Sequence, residues 1–230
     1  MLARSFATVT VVLVVAMPAM ASHVFVLGDS LSAEDNVFLP DAWPVLAFPD
    51  AHRTNFAVSG FDTFDVLDRM DTWLPFACPG TEWYVLIGTN DAARIYSGTN
   101  PPGSYDTNMA LIVLNLWQAN VDTVHIIHSP RWFNSAGSEA SNEGITSILA
   151  DERDVTDVPL CDAYPNTTCG PDLWTELDPA MGDFLSDGIH LSAEGHARVV
   201  ELLPEPSVPS STFAGIVAIA IVRRRRERRG

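Results

Sequence analysis

The chain has 230 residues, 47% of them hydrophobic, and a formal net charge of −16. It is long enough for one domain with a sizeable core and too apolar to be disordered. It has no lysine, and six of its 13 arginines fall in residues 223–229, so residues 22–206 carry six arginines against 28 acidic side chains. A body this acidic repels nucleic acid and anionic membrane surfaces, and neither is an expected partner.

The N-terminus reads as an export signal. Arg4 supplies the positive start, and Ala7 to Ala16 is an apolar run too short for a comfortable membrane span. Ala19-Met20-Ala21 fits the small-x-small cleavage pattern, so residues 1–21 are read as a signal peptide and the mature chain is expected to begin near Ser22. A retained anchor is the alternative, and the cleavage pattern speaks against it.

Val24 to Leu27 is a continuous apolar run and predicts a first strand buried on both faces. It stops at Gly28, and Asp29-Ser30 follow. In an open α/β sheet ligands bind at the carboxyl ends of the strands, where Ser30 falls. The plainer reading is that Ser30 or Ser32 caps a helix. Asp41 to Ala47 predicts a short helix with Pro44 in its first turn. Arg53 to Val58 predicts a second strand, with Asn55 and Gly60 near its ends. Asp62 to Leu74 predicts an amphipathic helix, its apolar side Val66, Leu67, Met70, Trp73 and Leu74. Glu82 to Ile87 is a third buried strand, ending in Gly88-Thr89-Asn90-Asp91.

Ala92 to Asp106 reads as a loop on the rim of the site. In it Arg94 and Tyr96 are either substrate contacts or solvated side chains. Thr107 to Ala119 predicts a helix, and Val124 to His128 a fourth strand whose His125 and His128 are expected to pack or hydrogen-bond. Asn142 to Leu149 predicts a helix, Asp157 to Cys161 a fifth strand, and Asp162 to Ser186 a long connection. Ser192 caps a final helix, Ala193 to Leu203, which leaves Asp187 and His190 on the loop before it. Strands alternating with helices imply a parallel sheet covered on both faces.

Three cysteines are present. Cys161 and Cys169 could close the short loop between them, as an exported chain permits. Cys78 is left over, expected as a buried or partly buried free thiol. No Cys/His spacing suggests a zinc site. The tail is different in kind. Pro204-Glu205-Pro206 is followed by an apolar run, Phe213 to Val222, and then by Arg223 to Arg229. Residues 204–230 are similar to the PEP-CTERM sorting signal, which implies an exosortase-like processing enzyme as partner and membrane anchoring by residues 213–222 before processing. A plain C-terminal anchor is the simpler alternative. Either way the basic cluster is expected to stay inside and the domain outside.

Gly28-Asp29-Ser30, Gly60, Gly88-x-Asn90-Asp91 and Asp187-x-x-His190 occur in the order of the blocks of the SGNH hydrolases, the GDSL esterase/lipase family, and the resemblance spans residues 24 to about 203. It implies a single-domain α/β fold over residues 22–203, a three-layer α/β/α sandwich with a five-stranded parallel flavodoxin-like sheet. No clear match to a fourth family block is found.

The resemblance also implies chemistry that suits these residues. Ser30 is the candidate nucleophile. His190 is the candidate base, since a neutral imidazole can take a proton near neutral pH. Asp187 would orient the imidazole and stabilise the imidazolium. The family's oxyanion donors fall on the backbone N–H groups of Ser30 and Gly60 and the side-chain amide of Asn90. A metal held by Asp29, Asp91 and Asp187 is disfavoured, because the first two belong to the family pattern, which needs none; no cofactor is expected. The expected function is an exported serine esterase that hydrolyses O-acyl esters of small molecules, polysaccharide or lipid, such as carbohydrate acetyl esters. Rivals are an acyltransferase with the same triad and a surface or matrix binding protein without turnover.

Overall fold

Alternation along the first strand decides the architecture. In a strand, successive side chains point to opposite faces. β1 (His23–Gly28) sends Phe25 and Leu27 to one side and Val24 and Val26 to the other, and all four are buried. Two separate cores result. On one side Phe25 and Leu27 pack with Trp83, Val85, Val66, Met70, Ile112 and Leu116. On the other, Val24 and Val26 pack with Trp43, Tyr84, Leu86, Leu173, Leu191 and Val199.

A computed structural model of the protein describes residues 23–34, 42–48, 52–133 and 143–204. The expected signal peptide and the tail beyond Pro204 lie outside the described residues. The sheet has five strands in the order β2-β1-β3-β4-β5, with β2 at Arg53–Asn55, β3 at Thr81–Leu86, β4 at Thr123–His128 and β5 at Thr167–Asp172. Every pairing is parallel. This is the flavodoxin-like order, with its switch point between β1 and β3.

Helices α1 (Trp43–Ala47) and α2 (Thr63–Trp73) follow the first two strands, and α3 (Thr89–Tyr96) and α4 (Ser104–Gln118) lie between β3 and β4. After β4 come α5 (Glu143–Asp151), a π-helical stretch (Glu152–Asp157), α6 (Val158–Cys161), α7 (Leu173–Glu176) and α8 (Ala193–Leu202). Residues of α2 and α4 fill the first core, and residues of α1, α7 and α8 fill the second. The result is the three-layer α/β/α sandwich. Among the described residues no helix is long and apolar enough to cross a membrane.

Four expectations are corrected. The fifth strand is not Asp157 to Cys161, which is helical, but Thr167–Asp172. A short apolar run does not by itself tell strand from helix. Val155 and Val158 face solvent, and Pro159 sits in the first turn of α6, where its missing N–H does no harm. The predicted loop from Ala92 to Asp106 holds most of α3 and the start of α4. The second strand ends at Asn55, although Phe56 and Val58 still donate backbone hydrogen bonds to Val26 and Gly28 at 2.8 and 3.1 Å. Cys78 is an exposed free thiol rather than a buried one. Cys161 and Cys169 are joined in a disulfide that ties α6 to β5.

The two histidines of β4 are buried. His125 stacks on Tyr84 with ring centroids 4.3 Å apart and lies 3.4 Å from Glu82 Oε2. Nδ1 of His128 lies 3.4 Å from Asp157 Oδ2, whose other oxygen accepts the Tyr105 hydroxyl at 2.7 Å.

Candidate active site

Ser30 stands on the turn just beyond β1. Gly28 makes that turn possible, because a Cβ there would meet the Leu86 carbonyl at 2.5 Å. Asp29, fully buried, folds back and accepts the Leu31 N–H at 2.9 Å. Asn55 pins the segment from the neighbouring strand, donating to the Ser32 carbonyl at 2.8 Å. Trp43 Nε1 donates to the Ser32 hydroxyl at 3.2 Å. Ser30 itself is left half-buried, its hydroxyl facing His190.

His190 and Asp187 arrive on the loop before α8. Ser192 caps that helix by accepting the Gly195 N–H at 3.0 Å. The loop is tied down on both sides: Phe133 N donates to the Gly188 carbonyl at 2.9 Å, and Leu185 N to the His190 carbonyl at 2.8 Å. Gly188, with φ +71°, supplies the left-handed residue of the turn. One Asp187 oxygen accepts the N–H groups of Ile189 and His190 at 2.9 and 3.0 Å, and the other lies 2.7 Å from His190 Nδ1. A carboxylate only accepts, so Nδ1 carries the proton. Nε2 is left as the acceptor for Ser30 Oγ, 3.0 Å away. The three residues predicted from the sequence therefore meet as one hydrogen-bonded chain.

The electrostatics divide the acidic residues into two kinds. Burial works to raise the Asp187 carboxyl, but the bond to His190 and the two N–H groups outweigh it and hold the group below the ordinary carboxylate range. Asp187 is thus a carboxylate at neutral pH. Burial pushes Asp29 up to about 7, against the pull of Leu31 N–H, His190 and Thr89. Asp91 is raised to about 7 by burial and by the charges of Asp62 and Asp29, against its bonds from Thr63. These two hold the frame: Asp91 accepts the backbone N–H of Thr63 at 3.0 Å and its hydroxyl at 2.5 Å, linking the start of α3 to the start of α2.

Gly60 lies in the turn beyond β2 and Asn90 in the first turn of α3, beyond β3, so the two flank β1 and Ser30. Gly60 has φ +81°, a value that favours glycine. The Asn90 side chain donates one N–H to the Phe61 carbonyl at 2.8 Å, which leaves its second N–H unspent in that bond. Arg94, read from the sequence as a possible substrate contact, instead bonds to Asp62, to Asp65 and to the Gly60 carbonyl. Tyr96 is exposed but closely packed, since a Cβ at Gly144 of α5 would come within 2.2 Å of its ring. Among the described residues, His128, Cys161 and Cys169 converge as metal-capable side chains, and the two cysteines are bonded to each other.

The sequence reading missed the supports of this site: Asp62, Asn100 and Asn108. Asn100 donates to Asp62 at 2.9 Å, and Asn108 to the Thr63 hydroxyl at 3.0 Å. Each partnership spans 38 or 45 residues, beyond any local signal. Only the N-cap role of Asp62, with Asp65 closing the capping box, has a sequence signature.

Solved structures share this architecture. A member of the lipolytic G-D-S-L family from Veillonella parvula is similar with a TM-score of 0.61 at 14% identity, over 77% of this chain and 93% of that one. A catalytic mutant of Axe2, an acetylxylan esterase from Geobacillus stearothermophilus, gives 0.60 at 15% identity, over 80% and 94%. TesA gives 0.53 at 18% identity, over 77% and 93%. At such identities the likeness is one of fold. No curated protein matches the chain in sequence. The profile of the GDSL-like lipase/acylhydrolase family matches residues 26–198, about three quarters of the chain, and carries the four segments built into this site. The chain belongs to the GDSL-like lipase/acylhydrolase family.

Proposed function

We propose that this protein is an exported serine esterase that hydrolyses O-acyl esters through Ser30, His190 and Asp187. The observation that carries the reading is the unbroken hydrogen-bond chain from the Ser30 hydroxyl through both ring nitrogens of His190 to Asp187. Packing alone does not call for a half-exposed Ser, His and Asp in that order.

On this reading the reaction runs as follows. Ser30 Oγ attacks the ester carbonyl carbon while His190 Nε2 takes its proton. Asp187, held ionised, stabilises the imidazolium. Negative charge on the carbonyl oxygen is met by the N–H groups of Ser30 and Gly60 and by the second amide hydrogen of Asn90. His190 then returns its proton to the alcohol, which leaves, and Ser30 carries the acyl group. Water, deprotonated by the same nitrogen, attacks the acyl-enzyme and regenerates Ser30.

The substrate class consistent with this site is an ester of a neutral or cationic alcohol, because the domain is so acidic. Acetyl esters of carbohydrate fit, and Axe2, one structural neighbour, is an acetylxylan esterase. Lipid esters are the alternative within the same chemistry. The leader and the Pro-Glu-Pro, apolar and arginine-rich tail support export, with processing by an exosortase-like enzyme. Mass spectrometry of the native product, expected to lack residues before about Ser22 and the arginine cluster, tests that part.

Hydrolysis of p-nitrophenyl esters of graded acyl length, by the protein and by Ser30→Ala, tests the activity. Turnover with short acyl groups, abolished in the variant, is the expected result. Equal rates from both would overturn the assignment.

A further inference from the structure

The loop that carries Gly60 is shaped from one side of a single helix. Val58 to Phe61 is a turn closed by the Phe61 N–H on the Val58 carbonyl at 3.2 Å, with Gly60 in its third position. Nothing lies within 4 Å of where a Gly60 side chain would stand, so no packing holds that face of the residue. Hydrogen bonds do. The Gly60 carbonyl accepts Arg94 Nη2 at 3.0 Å, and the next carbonyl, of Phe61, accepts Asn90 at 2.8 Å. The next side chain, Asp62, takes Arg94 Nη1 and Asn100. Asp65, one turn on, lies 3.2 Å from the same Arg94 nitrogen. Asn90 and Arg94 are four residues apart on α3 and therefore project from one helix face.

We propose that Arg94 is a positioning residue of the oxyanion site: its guanidinium, held by Asp62 and Asp65, grips the Gly60 carbonyl and so fixes the direction of the Gly60 N–H. The inference rests on the esterase reading above and adds a residue to it. The gripped carbonyl and the N–H that faces the oxyanion belong to adjoining peptides, separated by both φ and ψ of Gly60, which a glycine leaves little restricted. The turn is held on its other side by the Val58 N–H on the Gly28 carbonyl at 3.1 Å and the Phe61 N–H on the Val58 carbonyl at 3.2 Å, so the grip on the Gly60 carbonyl closes the remaining freedom and decides whether the donor is aimed or wandering. The task needs a planar fork with two donors apart, one for the carboxylates and one for the carbonyl. Lysine keeps the charge and lacks the fork. Arg94 touches no reacting atom. It serves transition-state stabilisation without contributing to ground-state binding.

The test uses the full chain with Arg94→Lys, Arg94→Ala, Asn90→Ala and the double variant Arg94→Ala/Asn90→Ala, with rates normalised to active sites titrated by a fluorophosphonate. Misaimed groups of this kind cost up to about 100-fold. The expected result is a kcat about 10- to 100-fold lower in both Arg94 variants, with KM within about twofold. The loss in the double variant is smaller than the product of the single losses, because both side chains hold one loop. A loss confined to KM, or a kcat within twofold of the parent, overturns the proposal. Amide hydrogen exchange of the 58–65 segment is read in the same proteins. It should speed up several-fold in Arg94→Lys while the rest of the chain is unchanged. Unchanged exchange there refutes the grip even if the protein proves to hydrolyse no ester, so the two readings fail separately.

Discussion

Asp187 binds His190 twice, once through the ring nitrogen Nδ1 at 2.7 Å and once through the backbone N–H at 3.0 Å. The double attachment fixes both the tautomer and the direction of the imidazole. Asp187→Asn keeps the size of the side chain and removes its charge. Its amide can donate to Nδ1, which puts the ring proton on Nε2, where it no longer accepts from Ser30. The expected outcome is a fall in kcat of about 10³–10⁴ at neutral pH with little change in KM. Steady-state kinetics check it, with the melting temperature as a control for folding.

Stability should fall as pH rises through the neutral range. Asp29 and Asp91 titrate near 7 in the folded chain, mainly because of burial, against 3.8 for an unperturbed Asp. Between these values the folded state holds protons that the unfolded state has released. Stability from this source is therefore complete below pH 3.8 and is lost as pH climbs through about 7. Asp187, lowered instead, acts in the opposite sense and only at acid pH. Melting temperatures from pH 5 to 8 should decline in the parent and decline less steeply in Asp29→Asn. Parallel curves would show that Asp29 is ionised throughout.

The disulfide joins residues eight apart, across the turn from α6 to the edge strand β5. Closing so short a loop in the unfolded chain is worth about 2–3 kcal/mol in the chain-entropy account. Replacing both Cys161 and Cys169 by Ser should lower the urea midpoint accordingly. Esterase activity at 25 °C should survive, because Ser30 follows β1 and the His190 loop, well downstream of the disulfide, is held by its own bonds from Phe133 and Leu185.

Gly195→Ala should damage both stability and turnover. A Cβ at Gly195 would lie 2.0 Å from the Asp183 carbonyl, a backbone atom that cannot swing aside. The helix α8 and the loop that carries His190 would have to part. Overpacking of this kind costs about 1–3 kcal/mol, and kcat should drop with it because His190 is displaced from Ser30. Urea denaturation and kcat, measured on the same preparation, check both halves.

The central strands were legible because burial on both faces leaves continuous apolar runs, as in Trp83 to Ile87. The edge strand β5 was not. Thr167-Thr168-Cys169-Gly170-Pro171-Asp172 is partly exposed, and Pro171 is tolerated there because an edge strand has unpaired N–H positions. Helix α3 was hidden by the Gly/Pro/Ser-rich stretch that begins only after Tyr96. At the site, Ser30, His190, Asp187, Gly60 and Asn90 announce themselves through motif spacing. Arg94 and Asp62 do not, because their partnership joins residues 32 apart and exists only once the sheet brings α3 beside the start of α2.

The most direct measurement is to trap the acyl-enzyme. The protein is mixed with p-nitrophenyl acetate, quenched in acid within the first turnover, digested, and the peptides are weighed. One acetyl group on the peptide that contains Ser30, absent from Ser30→Ala, is the predicted result. Hydrolysis that persists in Ser30→Ala, or an acyl group carried by another residue, would contradict the account.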